Sequence, residues 1–318
     1  MKDIMLFDGG IGQELVKRNL STKDPLWSAR VLLDNFELVK NLHIEFLNSG
    51  STIITTNSYS CTPQRLKRFN LENEFKNLQK LALRAAKEAI TSSGLENCKE
   101  EWPENAGVIL GSSIGGIETI NYSYKQVFEK GHNRLHPFTI PKIMNNSATS
   151  LISIEYHIKG PSFTVASACS SANHAMGIAY ETIKSGKSKI LITGGSESFL
   201  SFGGIKPWES LRVLSQSKCR PFSRGRDGLV HGEGAGIFVF ESLASAKKRK
   251  ADIIAEVVGF AMSSDASDLI KPNNIGPQKA LEGVLKDAMI NKTDVTYILS
   301  LIHISEPTRR TPISYAVF

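Results

Sequence analysis

Short apolar runs alternate with amphipathic stretches along this chain. Val108–Leu110, Phe163–Val165, Ile190–Ile192 and Ile237–Phe240 are apolar or β-branched, the pattern of buried strands. Leu78–Ile90 carries apolar positions at helical spacing, and so does the stretch after Cys169, where Ala172, Ala175, Met176, Ala179, Tyr180 and Ile183 recur. Further strands are expected at Ile253–Met262 and Asp294–Ile298. Nearer the start, Ile4–Phe7 reads as a strand, Gly9-Gly10 as a turn and Ile11–Lys17 as a helix. Phe36–Asn48 follows as a second helix, with Leu38, Leu42, Phe46 and Leu47 on one face, and Ser51–Thr56 as a second strand. Such alternation predicts an α/β protein.

One strand-to-helix junction carries a reactive side chain. In Thr164-Val-Ala-Ser-Ala-Cys169-Ser-Ser-Ala-Asn-His-Ala-Met-Gly177 the pattern changes from strand to helix around Cys169. A thiol at a helix N-terminus meets the positive end of the macrodipole and free backbone N–H groups, both of which favour thiolate. Thiolate is the attacking species, so a lowered pKa and a nucleophilic role for Cys169 are expected. On residue type alone, a buried structural cysteine is the other reading.

The motifs decide between them. Gly111-Ser-Ser-Ile-Gly-Gly116, Gly160-Pro-Ser, Ser167-Ala-Cys-Ser-Ser171, Thr193-Gly-Gly-Ser-Glu197, Cys219-Arg-Pro-Phe222, Arg226-Asp-Gly-Leu-Val-His-Gly-Glu-Gly-Ala-Gly236 and Ser263-Ser-Asp-Ala266 occur in an order and spacing that resemble a β-ketoacyl synthase. The resemblance implies a thiolase-like layered α/β domain, here truncated. It also implies that Cys169 accepts an acyl group from a thioester and that a carbanion from decarboxylated malonyl thioester then attacks it. Acyl carrier protein and acyl thioesters are the implied partners. A homodimer pairing a strand near residues 163–166 is the implied assembly.

Two flanking pieces read differently. Asp8-Gly-Gly-Ile-Gly-Gln-Glu-Leu15, Leu26-Trp-Ser-Ala-Arg30, His43-Ile-Glu-Phe-Leu-Asn-Ser-Gly50 and Thr52-Ile-Ile-Thr-Thr-Asn-Ser-Tyr59 resemble the opening of a homocysteine S-methyltransferase, a zinc-dependent TIM barrel. That implies a partial barrel, βαβα, with Asp8 and Asn57 after strand ends. Cys61 and Cys98 do not supply the adjacent cysteine pair that such a zinc site needs. Residues 299–318 resemble the in-frame translation of a sequencing adapter and are set aside from fold reasoning. The expected organisation is therefore a methyltransferase-like segment at 1–85, an incomplete synthase N-terminal domain at 86–298, and a non-native tail at 299–318.

Composition narrows the classes. The 318 residues are 41% hydrophobic and 22% charged, ordinary globular values. Four scattered cysteines with no C-x-x-C spacing argue against a zinc ribbon or disulfide framework and point to a reducing cytoplasm. No run approaches ~18 uninterrupted apolar residues, so no membrane helix is expected. The net charge of +7 is dispersed; its densest cluster, Lys247-Lys-Arg-Lys250, reads as a solvated helix end, and no nucleic-acid motif occurs. No phosphate loop or dinucleotide motif is present, and no cofactor or metal is expected.

The resemblance calls for a Cys-His-His set. Its first histidine belongs just after the strand at 294–298, where the adapter-like tail begins, so His303 is assigned no catalytic role. His132, His136, His157, His174 and His231 match neither histidine motif; packing roles are expected for His174 and His231. The expected function is a fragment of a 3-oxoacyl-carrier-protein synthase, inactive in condensation for want of that pair. The alternatives are a homocysteine S-methyltransferase, from the first segment, and a non-catalytic synthase partner subunit; retention of Cys169 argues against the latter.

Overall fold

The computed structural model describes residues 15, 18, 35–48, 78–98, 102–216, 223–268 and 273–298. The chain divides into two compact units, Met1–Lys76 with His231–Gly234, and Asn77–Val230 with Ala235–Phe318.

In the first unit, helix α1 (Phe36–Asn48) has the bounds its periodicity predicts. Asn35 accepts the Leu38 N–H at 3.1 Å through its side chain, an N-cap contact. Val39 and Leu42 bury with Leu15, and Leu38 packs beside them. The Arg18 guanidinium grips both oxygens of Glu45, at 2.7 and 2.8 Å. Asp8, Asn57 and both expected barrel strands lie outside the described residues, as do Cys61, Cys219 and all of 299–318.

The second unit runs α2 (Leu78–Ser92), β1 (Ala106–Gly111), α3 (Ile117–Tyr124), α4 (Thr139–Ile143), α5 (Ser147–Glu155), β2 (Ser162–Val165), α6 (Ser171–Lys184), β3 (Ile190–Glu197), α7 (Phe202–Ser210), β4 (Gly234–Glu241), α8 (Leu243–Lys248) and α9 (Ile275–Ala288). Its strands form a sheet in the order β2-β1-β3-β4. The first three are parallel, with Gly111 opposite Val165 on one side and Gly195 on the other. Ser242 N–H donates to Lys189 O, and Gly236 lies against Gly194, so β4 runs back along β3.

Side chains alternate across a strand, and that alternation sets the layers. Val108, Leu110, Ile190 and Ile192 face Leu78, Ala82, Ala86 and Ile90 of α2 and Ala148 and Ile152 of α5. On the opposite face, Ile109 and Leu191 meet Ala175 and Ala179 of α6. Helix, sheet and helix therefore stack in three layers, the layered α/β arrangement that the sequence predicts.

β3 continues through Gly194-Gly195 to Glu197. One expectation changes. Residues 253–262 and 295–298, expected as strands, have no regular structure. A strand exists only through a ladder with a neighbour, and no described strand pairs with either segment. Most of their apolar residues remain outward, Ile254 most of all at 82% exposed.

Candidate active site

The chain leaves β2 at Val165 and enters α6 at Ser171, and Cys169 stands on the turn between them. Ala168, just before it, has φ of 52°, a left-handed conformation that costs a non-glycine residue of order 1–3 kcal/mol. The turn is closed by its own groups. Ser170 and Ser171 N–H donate to Ser167 O and Ala168 O at 3.3 and 3.1 Å. The Ser171 hydroxyl accepts from Ser167 N–H at 2.9 Å and donates to Ala168 O at 2.6 Å. Cys169 is a free, exposed thiol on this sharp elbow.

Glycine lets the elbow sit where it does. A Cβ on Gly111 would lie 2.3 Å from Ala172 N and Ser171 C, and one on Gly195 would lie 2.7 Å from Ala172 Cβ. These paired residues form a floor with no side chains, on which the first turn of α6 rests against the sheet.

Leu191, Thr193, Gly195 and Glu197 share the α6 face by alternation. The Glu197 carboxylate accepts Ser113 N–H at 2.7 Å, the Ser113 hydroxyl, and the Ser112 hydroxyl at 3.4 Å. Ser112 Oγ in turn accepts Gly115 N–H at 3.2 Å. Glu197 thus fastens the loop after β1 beside the elbow. Glu197, Ser112, Ser113 and Ser167 carry no role in the sequence reading, although Glu197 lies two residues beyond Gly195, the spacing that puts it on the α6 face.

The electrostatics correct one expectation. Although Cys169 is accessible to solvent, the protein packed around its sulfur partly desolvates the thiolate and pushes the thiol up; the Glu197 charge adds to the rise, and together they outweigh the lowering by its own backbone N–H. The helix terminus offers less than expected, because Ser170 and Ser171 N–H are already committed to the elbow's own carbonyls. Alkylation of Cys169 by iodoacetamide should therefore show a pH midpoint above the ~8.5 of an ordinary cysteine. Glu197→Gln retains an acceptor for Ser113 N–H and removes the negative charge, so the midpoint should fall. An unmoved or rising midpoint contradicts the assignment.

Among the described residues no histidine is hydrogen-bonded to the Cys169 sulfur. His174 instead lies with Nδ1 2.7 Å from Ser167 Oγ and its ring edge-on to Phe260. Burial pushes the His231 imidazole down. His136 accepts Phe138 N–H, while His132 lies on the exposed surface. No cluster of His, Cys, Asp and Glu suited to a metal ion occurs among the described residues. No described helix is long and apolar enough to cross a membrane.

The parallel strands of a layered α/β fold thus deliver an accessible thiol to a strained turn over a glycine floor. Residues 54–246 match the family model for the β-ketoacyl synthase N-terminal domain, and the chain belongs to that family. The matched span begins ahead of residue 86 and takes in all of α2, β1 to β4 and the Cys169 elbow. Nodulation protein E of Rhizobium leguminosarum bv. trifolii is 41% identical over 218 residues, 69% of this chain and 54% of that protein. The 3-oxoacyl-[acyl-carrier-protein] synthase 2 of Staphylococcus aureus is 36% identical over 263 residues, 78% of this chain and 65% of that one. Among solved structures, AntDE:AntF, a type II polyketide synthase acyl-carrier protein in complex with its ketosynthase bound to the hexaketide, aligns with a TM-score of 0.63 and 27% identity. That alignment covers 69% of this chain and 57% of the solved one. The chain spans little more than half the length of these relatives.

Proposed function

We propose that Cys169 accepts an acyl group from an acyl thioester of a carrier protein, the loading half of a 3-oxoacyl synthase reaction. The sulfur attacks the thioester carbonyl, a new C–S bond forms, and the bond to the carrier sulfur breaks. The proton from Cys169 ends on the departing carrier thiol, so the exchange is balanced and needs no cofactor. The observation that carries this reading is the placement of Cys169 on the exposed β2–α6 elbow.

Condensation is a separate matter. Decarboxylating a malonyl thioester builds negative charge on its carbonyl oxygen, and each missing donor for such an oxyanion costs about 10²–10³ in rate. With no described histidine bonded at Cys169, the chain loads acyl groups and does not condense them. Incubation with radiolabelled hexanoyl-coenzyme A, then with malonyl-coenzyme A, tests both parts. Label on Cys169 with no 3-oxoacyl product is expected; absence of label defeats the first part, and product formation the second.

The partner we infer is an acyl carrier protein, a kind of protein that the AntDE:AntF structure holds against its ketosynthase. We also infer a homodimer in the reducing cytoplasm, with Cys98 and Cys169 as free thiols. The dimer uses β2, an edge strand of the sheet whose Phe163 is exposed. Sheet edges unpaired among the described residues, and outward apolar residues such as Phe128, Ile254 and Met289, favour self-association. Sedimentation velocity should show dimers or larger species at micromolar concentration, and a lone monomer at all concentrations counts against this.

A further inference from the structure

Ser167 and His174 face each other across the elbow, one residue from the strand side and one from the first turn of α6. Ser167 Oγ and His174 Nδ1 are 2.7 Å apart. The hydroxyl can donate or accept, so this bond exists with either imidazole protonation state. Ser167 also bridges to Cys169 through the backbone, its carbonyl receives Ser170 N–H, and its own N–H is held by Ser171 Oγ. The imidazole is itself fixed from outside. Its ring meets the Phe260 edge at 6.3 Å between centroids, and a Cβ on Gly177 would lie 2.1 Å from the Phe260 ring, so Phe260 presses directly on α6. Phe260 N–H donates to Asp287 Oδ2 at 2.9 Å. Asp287 also pairs with Lys184 at the end of α6, at 3.0 Å.

We propose that the Ser167–His174 bond is a staple that holds Ala168 in its left-handed conformation and thereby aims Cys169 at the thioester. His174 is a positioning residue that acts through Ser167 and does not touch the reacting atoms. The aiming role rests on the acyl-loading reading of Cys169; the staple itself does not. Ala168 has no intrinsic reason to stay at positive φ, so the surrounding bonds must over-determine it. Two side-chain bonds tie Ser167 to α6, its N–H to Ser171 Oγ within the turn and its Oγ to His174 one turn further along the helix. Breaking the second loosens the incoming side of the turn, leaving only the local bonds to hold Ala168.

Two readouts in the full chain test this. The first is amide hydrogen exchange at residues 168–171. One hydrogen bond is worth a modest amount, so Ser167→Ala and His174→Leu should each speed exchange there about threefold to tenfold. His174→Asn places an amide near the Nδ1 position and should restore protection. The double variant Ser167→Ala/His174→Leu should lose no more than either single one, since both remove the same bond. The second readout is Cys169 loading from hexanoyl-coenzyme A, with iodoacetamide alkylation as control. Loading should fall with the exchange change and recover in His174→Asn, while alkylation, which needs only an accessible sulfur, stays within twofold. Unchanged exchange in both single variants, or fully additive losses, overturns the staple. Faster exchange with unchanged loading overturns its role in aiming. If the parent chain alkylates but never loads, the acyl-loading reading fails, and the staple still stands or falls on exchange.

Discussion

Cys169→Ala abolishes covalent labelling by an acyl thioester, a loss of at least ~10³-fold, while the fold is retained. The size follows from chemistry: no other described thiol lies on the elbow, and removing a nucleophile eliminates the step it performs. Stability should change little, within about 0.5 kcal/mol, because the residue is exposed and alanine keeps the backbone of the turn. The check is scintillation counting of labelled protein beside a thermal melt. Residual labelling in the variant places the acyl group elsewhere, with Cys98 the first alternative, since it too is free.

Gly111→Val should have the largest effect on the fold. A Cβ at Gly111 would lie 2.3 Å from Ala172 N and 2.5 Å from Ser171 O, which are backbone atoms and cannot rotate away. The first turn of α6 must lift from the sheet, taking the elbow with it. Overpacking costs about 1–3 kcal/mol where side chains can shift, and a backbone obstruction belongs at or beyond the upper end. A melting temperature lower by roughly 6–10 °C is expected, with acyl loading falling further than the stability loss explains. Gly131→Val is the control, because nothing lies within 4 Å of its Cβ position, although its φ of 66° adds backbone strain of its own. Loading in Gly131→Val should stay at the parent level. Equal loading losses in the two variants argue against the glycine floor.

What could be read in the sequence was what local pattern encodes. The change from strand to helical period around Cys169 located the elbow, and the short apolar runs 108–110 and 190–192 located the two central strands. Leu78–Ile90 read as a helix, and in the fold its Leu78, Ala82, Ala86 and Ile90 are buried in the core. Other features depend on contacts distant in sequence. Ala168 gives no sign of a left-handed conformation, because alanine has no preference for one; a glycine there would have. Gly195 gives no sign of its packing role, since glycine used for a turn and glycine used for close packing look alike until α6 is placed on it. Glu197 reaches Ser113 across 84 residues, a pairing no local spacing records. The apolar pattern of 253–262 was legible, but a strand needs a neighbour, and the sequence of one segment cannot supply it. The lowered thiol pKa failed for a similar reason: the helix terminus was counted as free donors before the elbow's own carbonyls had claimed them.

The most direct test is protection. The full chain is incubated with hexanoyl-coenzyme A, treated with iodoacetamide, and digested for mass spectrometry of the peptide containing Cys169. The account predicts a hexanoyl adduct on Cys169, blocked alkylation there, and recovery of a reactive thiol after hydroxylamine cleaves the thioester. Full alkylation of Cys169 with no acyl adduct, at thioester concentrations well above that of the protein, would contradict it.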